Sequence, residues 1–163
     1  MASRSEVRWL TSEQQQAWRA YIMGTELLQH QLDRELREEH DISFSEYEIL
    51  VRLSEADGGR MRMAILADAM SHSRSRVTHT IARMEQAKLV RREASRADGR
   101  GVEAVMTAEG RRVLVEAAPT HVRGVREHLV DLASKDDFDA IGRVFNEVSE
   151  RLLADKPKEA DIR

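Results

Sequence analysis

Residues 71–93 combine a narrow apolar stripe with a row of groups that donate and accept hydrogen bonds. At about 100° per residue, Val77, Ile81 and Met84 fall on one side of a helix. The opposite side carries the hydroxyl, guanidinium and imidazole groups of Ser75, Arg76, His79 and Arg83. Because arginine donates to guanine and serine adapts to either partner, this side suits contact with base edges in a major groove. An ordinary basic surface helix is the competing interpretation.

The charges of the chain are distributed unevenly. The formal net charge is −3, yet residues 58–106 carry ten lysines and arginines against five acids. The rest of the chain carries 16 basic and 24 acidic side chains. A basic middle between acidic ends is expected if the middle meets phosphate while the ends form a frame or an interface.

The composition excludes several kinds of chemistry. The 163-residue chain has no cysteine, which rules out disulfides, thiolate metal ligands and cysteine nucleophiles. It also lacks a glycine-rich phosphate loop, a Gly-x-Ser-x-Gly turn and a run of metal ligands. We therefore expect no enzymatic activity, no cofactor and no bound metal. Since no stretch is apolar enough to direct export or to span a membrane, we expect a cytoplasmic protein.

Three helices are predicted ahead of the basic helix. The first begins at a capping box, for which Thr11 with Gln14 and Ser12 with Gln15 are both suitable, and its apolar stripe continues to residue 39. The second begins at the capping box of Ser45 with Glu48 and ends near the paired glycines 58 and 59. The third covers two turns, and its predicted inward face is formed by Ile65, Leu66, Ala69 and Met70. A short helix followed by a three-residue polar turn and a basic helix fits a helix-turn-helix.

The periodicity changes to that of strands after residue 88. Residues 89–93 and 102–106 read as two strands joined by the loop 94–101, which predicts a β-hairpin. Residues 60–62 are a candidate for a further, very short strand. A basic hairpin directly after a recognition helix is a wing, which can lay arginine along the phosphate backbone or in a narrow minor groove.

Two further helices are predicted after the hairpin. Thr107 caps the first, which continues through Leu129 and Leu132 and should be bent or interrupted by Pro119. The second starts at residues 134–137 and has a regular apolar seam. The small winged domain is the one compact partner for these helices within the monomer. We therefore expect the first, fifth and sixth helices to interlock with those of a second chain as an obligate dimer.

Five short motifs follow one another along residues 77–110. They are Val77-Thr78, Met84-Glu85, the strand start at 88–92, Asp98-Gly99-Arg100 and the helix start at 106–110. Together with the order of elements, they resemble the multiple antibiotic resistance regulator (MarR) family of bacterial transcription factors. Lys88 stands where that family usually has glycine, and methionine replaces leucine at residues 84 and 106. The resemblance is specific over residues 43–112 and rests on helix layout elsewhere.

The resemblance implies a mainly α fold with a small β-hairpin wing, an α+β arrangement in which a winged helix-turn-helix lobe sits on a helical dimerisation frame. The expected divisions are an N-terminal helical dimerisation region at 1–40, a DNA-binding domain at 41–106 and C-terminal dimerisation helices at 107–163. It also implies a homodimeric repressor that binds a palindromic operator in double-stranded DNA. The alternatives are a metal-responsive or effector-independent regulator, or a winged-helix module that binds protein only.

The predicted DNA contacts come from the basic helix and the wing. They are Ser73, Arg74, Ser75, Arg76, Thr78, His79, Arg83, Arg92, Arg96 and Arg100. By the family likeness, Arg100 touches the minor groove or the backbone, and Asp98 pairs with a nearby arginine and holds the wing. An unpaired Asp98 would also repel phosphate, so both arguments give it a structural role.

The family resemblance further implies a pocket for an aromatic or anionic effector, with Trp18, Tyr21 and Tyr47 as candidates. Aromatic residues more often belong to a core or a dimer interface, which is the competing interpretation. His121 and His128 are two turns apart on one helical face, a spacing that can hold zinc. Because exposed histidines on an acidic helix are commonplace, we predict no metal site there.

Overall fold

The computed structural model describes residues 7–95, 99 and 101–154. Within these residues the chain forms six α-helices, α1 (Ser12–His40), α2 (Phe44–Glu55), α3 (Met63–Ala69), α4 (Arg74–Gln86), α5 (Ala108–His128) and α6 (Lys135–Ala154). The same residues form three strands, β1 (Arg60–Arg62), β2 (Val90–Ala94) and β3 (Val102–Met106). The predicted fold class, mainly helical with a small β-hairpin wing, is confirmed.

The first helix begins at the earlier of its two predicted capping boxes. Thr11 Oγ1 accepts a hydrogen bond from the Gln14 amide (3.2 Å), and the Gln14 side chain accepts one from the Thr11 amide (3.0 Å). Towards the other end of α1, Leu32 and Leu36 are buried. The C-terminal half of α1 therefore packs into the core, whereas its N-terminal half presents apolar side chains to solvent.

The predicted cap of α2 at Ser45 is wrong by two residues. Ser43 caps the helix, because its Oγ accepts from the Glu46 amide (3.2 Å) and Glu46 accepts from the Ser43 amide (2.7 Å). Both serines are followed three residues later by glutamate, so the local sequence permits either start. A tertiary contact favours the earlier one, since Asp33 of α1 accepts the amide of Phe44 (2.8 Å), which a helix start leaves free.

The inward face of α3 was predicted only in part. Leu66 and Met70 are buried as expected, but Ile65 is 53% exposed and Ala69 is exposed. Ala67 takes the inner position instead. In a seven-residue helix two adjacent apolar stripes are nearly equivalent by sequence, and packing against α4 and α2 selects between them.

The strands form one antiparallel sheet in the order β1-β3-β2. The pairing of β2 with β3 confirms the predicted hairpin, and β1 joins the free edge of β3. The hairpin strand begins at Val90 rather than at Leu89. The amide of Leu89 instead bonds to the Met84 carbonyl (2.9 Å) at the end of α4.

Pro119 lies inside α5 without interrupting it. The residues around it are buried, Ala117 fully and Thr120 to 3% exposure, so tertiary packing holds the turns on both sides of the proline. The predicted extension of this helix through Leu129 and Leu132 is wrong. The helix ends at His128, and residues 130–132 form a 3₁₀ turn.

The chain divides into two compact units, residues 1–124 and residues 125–163. The first contains a hydrophobic core to which α2, α3, α4 and the sheet contribute. In the second unit, Ser134 Oγ accepts the Asp137 amide (3.2 Å) at the start of α6, where the sequence predicted a helix start. No helix in the described part of the chain is long and apolar enough to cross a bilayer. The division expected at residues 40 and 106 stays a prediction.

Candidate nucleic-acid interface

Helix α4 has the two-sided character that its sequence predicts. Val77 is 1% exposed, and Ile81 and Met84 are fully buried. Ser75, Arg76 and His79 are exposed on the outside. The apolar seam fixes the rotation of the helix about its axis, because turning it would expose the seam to water. The polar face is therefore presented rigidly to solvent.

The helix N-terminus is held by Ser73, whose Oγ accepts the amide of Arg76 (3.2 Å). Arg74 follows it in the first turn and is exposed. His72, just ahead of the cap, has a pKa below its ordinary value because burial and the nearby charge of Arg76 disfavour the imidazolium. The neutral ring, which offers a hydrogen bond, is thereby favoured over the positively charged imidazolium.

Thr78 and Thr80 use their hydroxyl protons within the helix. Thr78 Oγ1 donates to the Arg74 carbonyl (2.8 Å), and Thr80 Oγ1 donates to the Arg76 carbonyl (3.0 Å). Thr80 is buried, whereas Thr78 is exposed. An outside partner of Thr78 thus finds a methyl group and an accepting oxygen, a combination suited to a thymine methyl or to a base amine.

Two of the predicted DNA contacts, Arg83 and Arg92, are already paired with acids of the chain. Arg83 Nη2 lies 3.4 Å from Glu46 Oε1 on α2. Arg92 donates through Nη2 (2.7 Å) and Nε (2.9 Å) to Glu85 Oε2, so this pair joins the end of α4 to β2. The hydrogen bonds from Arg92 lower the pKa of Glu85. Both arginines remain substantially exposed and keep further donors for an outside anion.

The wing is described only at its base. Arg96, Asp98 and Arg100 lie outside the described residues, so their predicted roles stay predictions. At the base, the Ser95 amide donates to the Gly101 carbonyl (2.8 Å), and the Gly99 amide donates to the Ser95 carbonyl (2.9 Å). These bonds close the loop between β2 and β3.

An arginine that the sequence analysis missed lies beneath the wing. Arg60 of β1 donates to Glu103 Oε2 on β3 and to Glu93 Oε2 on β2, each at 3.0 Å. Ser95 Oγ completes the group by donating to Glu103 Oε1 (3.1 Å). The available signal was the presence of two acids in strands of an otherwise basic segment, but the pairing itself depends on strand order.

A cleft of about 520 Å³ opens beside the outer face of α4. Its walls come from α4, from α1 and from the start of α2, and are formed by Asp33, Arg37, Ser43, Ser45, Arg76, His79, Thr80 and Arg83. Arg37 is held by Asp33 within α1 (2.6 Å). The lining carries three arginines against one aspartate, a balance of charge that suits contact with a polyanion.

The three candidate effector residues do not line one pocket. Trp18 and Tyr21 form a pair on α1, with ring centroids 5.7 Å apart and exposures of 55% and 37%. Tyr47 is buried on α2 and lies 4.6 Å, centroid to centroid, from the ring of His121. That pair lines a separate cavity of about 260 Å³.

His121 is a packed aromatic residue rather than an exposed metal ligand. Its ring also stacks on Phe44 at 5.9 Å, and its Nδ1 is buried without a hydrogen-bond partner in the described part of the chain. Burial lowers the pKa of His121. No group of three His, Asp or Glu side chains among the described residues is arranged to hold a metal ion.

Comparison with known proteins agrees with the geometry of α4 and the sheet. A model of the MarR family matches residues 40–101. AbsC from Streptomyces coelicolor, a MarR family transcriptional regulator, is 42% identical with a TM-score of 0.84, over 91% of this chain and 99% of AbsC.

A second structure extends the match to nearly the whole chain. Sco3205 from Streptomyces coelicolor, a MarR family regulator crystallised with DNA, is 39% identical with a TM-score of 0.87, over 97% of each chain. BldR from Sulfolobus solfataricus, at 23% identity and a TM-score of 0.72 over 85% of this chain and 99% of BldR, shares the fold. Comparison with curated proteins finds no match. The chain belongs to the MarR family of transcriptional regulators.

Proposed function

We propose that this regulator represses transcription by binding an inverted repeat in double-stranded DNA as a homodimer. The observation that carries the proposal is the orientation of α4, whose buried seam leaves Ser75, Arg76 and His79 on a rigid outer face. The DNA complex of Sco3205, 39% identical, supports the same use of this fold. A helix of this kind enters the major groove and contacts base edges through its first turns.

The proposed contacts divide into two groups. Ser75, Arg76, Thr78 and His79, with Ser73 and Arg74 at the helix start, contact bases or the adjacent backbone. Arg83 and Arg92 are directed to phosphate, and Arg96 and Arg100 act from the wing. The ion pairs of Arg83 with Glu46 and of Arg92 with Glu85 restrain these side chains before DNA arrives. Preorganisation of this kind lowers the entropic cost of binding.

Exposed apolar side chains on α1 and α6 support the homodimer. On α1 they include Trp18, Ile22, Met23 and Leu27, and on α6 they include Ile141, Val144, Val148, Leu152 and Leu153. Ile141 and Val144 are 39% and 48% exposed although they follow a regular helical seam. A soluble chain seldom leaves such stripes in water, so we infer that a second copy covers them.

We infer that a small effector binds in the cavity beside Tyr47. The cavity beside Tyr47 and His121 combines aromatic walls with one arginine, Arg52, and two acids, Glu48 and Glu55, which suits a small aromatic ligand better than an anion. A ligand there would act by favouring one dimer geometry, and a coupling free energy of about 1–3 kcal/mol is typical of such regulation.

Selection of bound fragments from random double-stranded DNA tests the proposal. We expect a palindrome whose half-site centres are about 10 bp apart, as two symmetric lobes on one face of the duplex require. Enrichment of one unrepeated site would contradict the dimer, and absence of any enriched site would favour a protein-binding module.

The dimer is tested separately by sedimentation. Val148→Glu places a charge in the α6 stripe and should shift the protein from dimer to monomer. Glu147→Gln, at the neighbouring exposed residue, is the matched control and should leave the dimer intact. A Val148→Glu protein that folds and remains fully dimeric would exclude this part of α6 from the interface.

A further inference from the structure

Two acids face each other at the base of the wing. Glu93 of β2 and Glu103 of β3 are direct cross-strand partners in the antiparallel register. Like charges in this arrangement destabilise a strand pair. Glu103 is also only 8% exposed, so its carboxylate has lost most of its hydration and requires a compensating charge.

Arg60 supplies that charge from the third strand. In the register of β1 with β3, Arg62 is the residue opposite Glu103, and Arg60 lies opposite Val105. The Arg60 side chain therefore reaches diagonally across β3, and its two terminal nitrogens bond one carboxylate each at 3.0 Å. The planar guanidinium suits this double contact, which a lysine ammonium on a flexible stem would not reproduce.

The remaining oxygens of both acids are also engaged. Arg91 bonds to Oε1 of Glu93, while Ser95 Oγ donates to Oε1 of Glu103. Ser95 is 4% exposed, and its amide bonds to the Gly101 carbonyl across the hairpin. The network thus ends at Ser95 and Gly101, the residues that flank the wing tip.

We propose that Arg60 is a positioning residue for DNA binding: it fixes the base of the wing through Glu103 and Ser95 without contacting DNA itself. Its side chain is 14% exposed and both terminal nitrogens are occupied, so it is a poor phosphate ligand. The inference rests on the proposed DNA-binding function. It goes beyond that function because it states that β1, a strand that precedes α4 in the chain, holds the wing in position.

The test compares two variants and one control on the selected DNA site. Arg60→Gln removes the guanidinium that bonds buried Glu103, while Glu93 keeps Arg91. The double variant Arg60→Gln/Glu103→Gln has the formal net charge of the wild type, because it removes the buried carboxylate together with the guanidinium that bonds it. Arg112→Gln is the control, because Arg112 also bonds two acids, Glu109 and Glu116, but on the exposed face of α5.

Each protein is titrated and footprinted in two ways. Hydroxyl-radical protection reports the outer minor groove and backbone where a wing lies, and methylation protection at guanine N7 reports the major groove. Arg60→Gln should bind about tenfold more weakly and lose the hydroxyl-radical protection while it keeps the N7 protection. The double variant should return to within about threefold of the wild type, and the control should stay there.

Retention of wing protection by Arg60→Gln would overturn the inference, as would failure of the double variant to restore it. If Arg60→Gln does not fold, the double variant decides the matter, since it must fold and keep wing protection. If the wild type itself gives no specific footprint, the proposed function fails. Amide hydrogen exchange then tests whether Arg60 stabilises the base of the wing. The amides of β2 and β3 should then exchange faster in Arg60→Gln than in the wild type, and at the wild-type rate in the double variant. Unchanged exchange in Arg60→Gln would refute this role of Arg60.

Discussion

Gly110 lies directly against the main-chain carbonyl of Leu89. A Cβ built on Gly110 would fall 2.1 Å from that oxygen, far inside contact distance. The approach is held by Thr107, whose amide donates to the Leu89 carbonyl (3.1 Å) and whose Oγ1 accepts the amide of Gly110 (2.9 Å). The cap of α5 and the end of α4 are thereby joined at one point.

The first prediction follows from this contact. Gly110→Ala should lower the free energy of unfolding by roughly 3 kcal/mol, since backbone rather than a side chain must move. Gly142→Ala on α6 is the control, because a Cβ there meets nothing within 4 Å. We expect it to stabilise the protein by about 0.5 kcal/mol through the lower entropy of the unfolded chain. Denaturant titration of both variants measures the difference, and equal stabilities would refute the steric argument.

A substitution at Lys88 should increase the free energy of unfolding. It has a φ of 61° immediately before Leu89, a conformation that L residues adopt at a cost of about 1–2 kcal/mol. Lys88→Gly should therefore raise the free energy of unfolding by about 0.5–1 kcal/mol after the entropy of the added glycine is subtracted. Lys88→Ala keeps the strained backbone and should give no gain. A similar gain in both variants would show that the lysine side chain, not φ, is unfavourable.

His121 makes stability depend on pH. Burial lowers its pKa from the ordinary 6.5, so the unfolded chain takes up a proton more readily than the folded one. The stability associated with the neutral ring is complete above about pH 6.5 and declines as the pH falls below it. Burial shifts the pKa of Glu48, in the same cavity, upwards, and that effect has the opposite sign.

Comparison with His121→Phe isolates the histidine, because Glu48 is present in both proteins. As the pH falls from 7.5 to 5, the unfolding free energy of the wild type should decrease relative to that of the variant, because only the wild type carries the buried imidazole. Parallel curves would mean that the imidazole titrates normally.

The recognition helix gives a prediction on affinity. Arg76→Ala should weaken binding to the selected site by roughly 1–3 kcal/mol while changing binding to random DNA much less. Arg112→Ala removes the same charge from α5 and should affect neither strongly. Filter-binding titrations at one salt concentration provide the comparison. Equal losses on both DNAs would assign Arg76 to phosphate rather than to a base.

Helical periodicity made the orientation of α4 predictable, whereas the cap of α2 depends on a contact with another helix. Val77, Ile81 and Met84 repeat at the helical spacing, and burying them determines which side chains face outwards. The cap at Ser43 was missed because a second serine offers the same local pattern, and only Asp33, from another helix, distinguishes the two.

Arg60 shows a second limit of sequence analysis. Its partners Glu93 and Glu103 lie 33 and 43 residues away, and they become neighbours only through the strand order β1-β3-β2 and its register. No local pattern in the sequence encodes that order. The fold class and the outer face of α4 were therefore predictable, whereas the support of the wing required the structure.

The affinity ratio between the selected palindrome and a scrambled duplex of the same length tests the central claim most directly. Both titrations use the wild-type protein at one physiological salt concentration, because phosphate contacts alone vary steeply with salt. If the outer face of α4 contacts base edges, the palindrome should bind at least about 10³-fold more tightly. Equal affinity for both duplexes would contradict sequence recognition by this face.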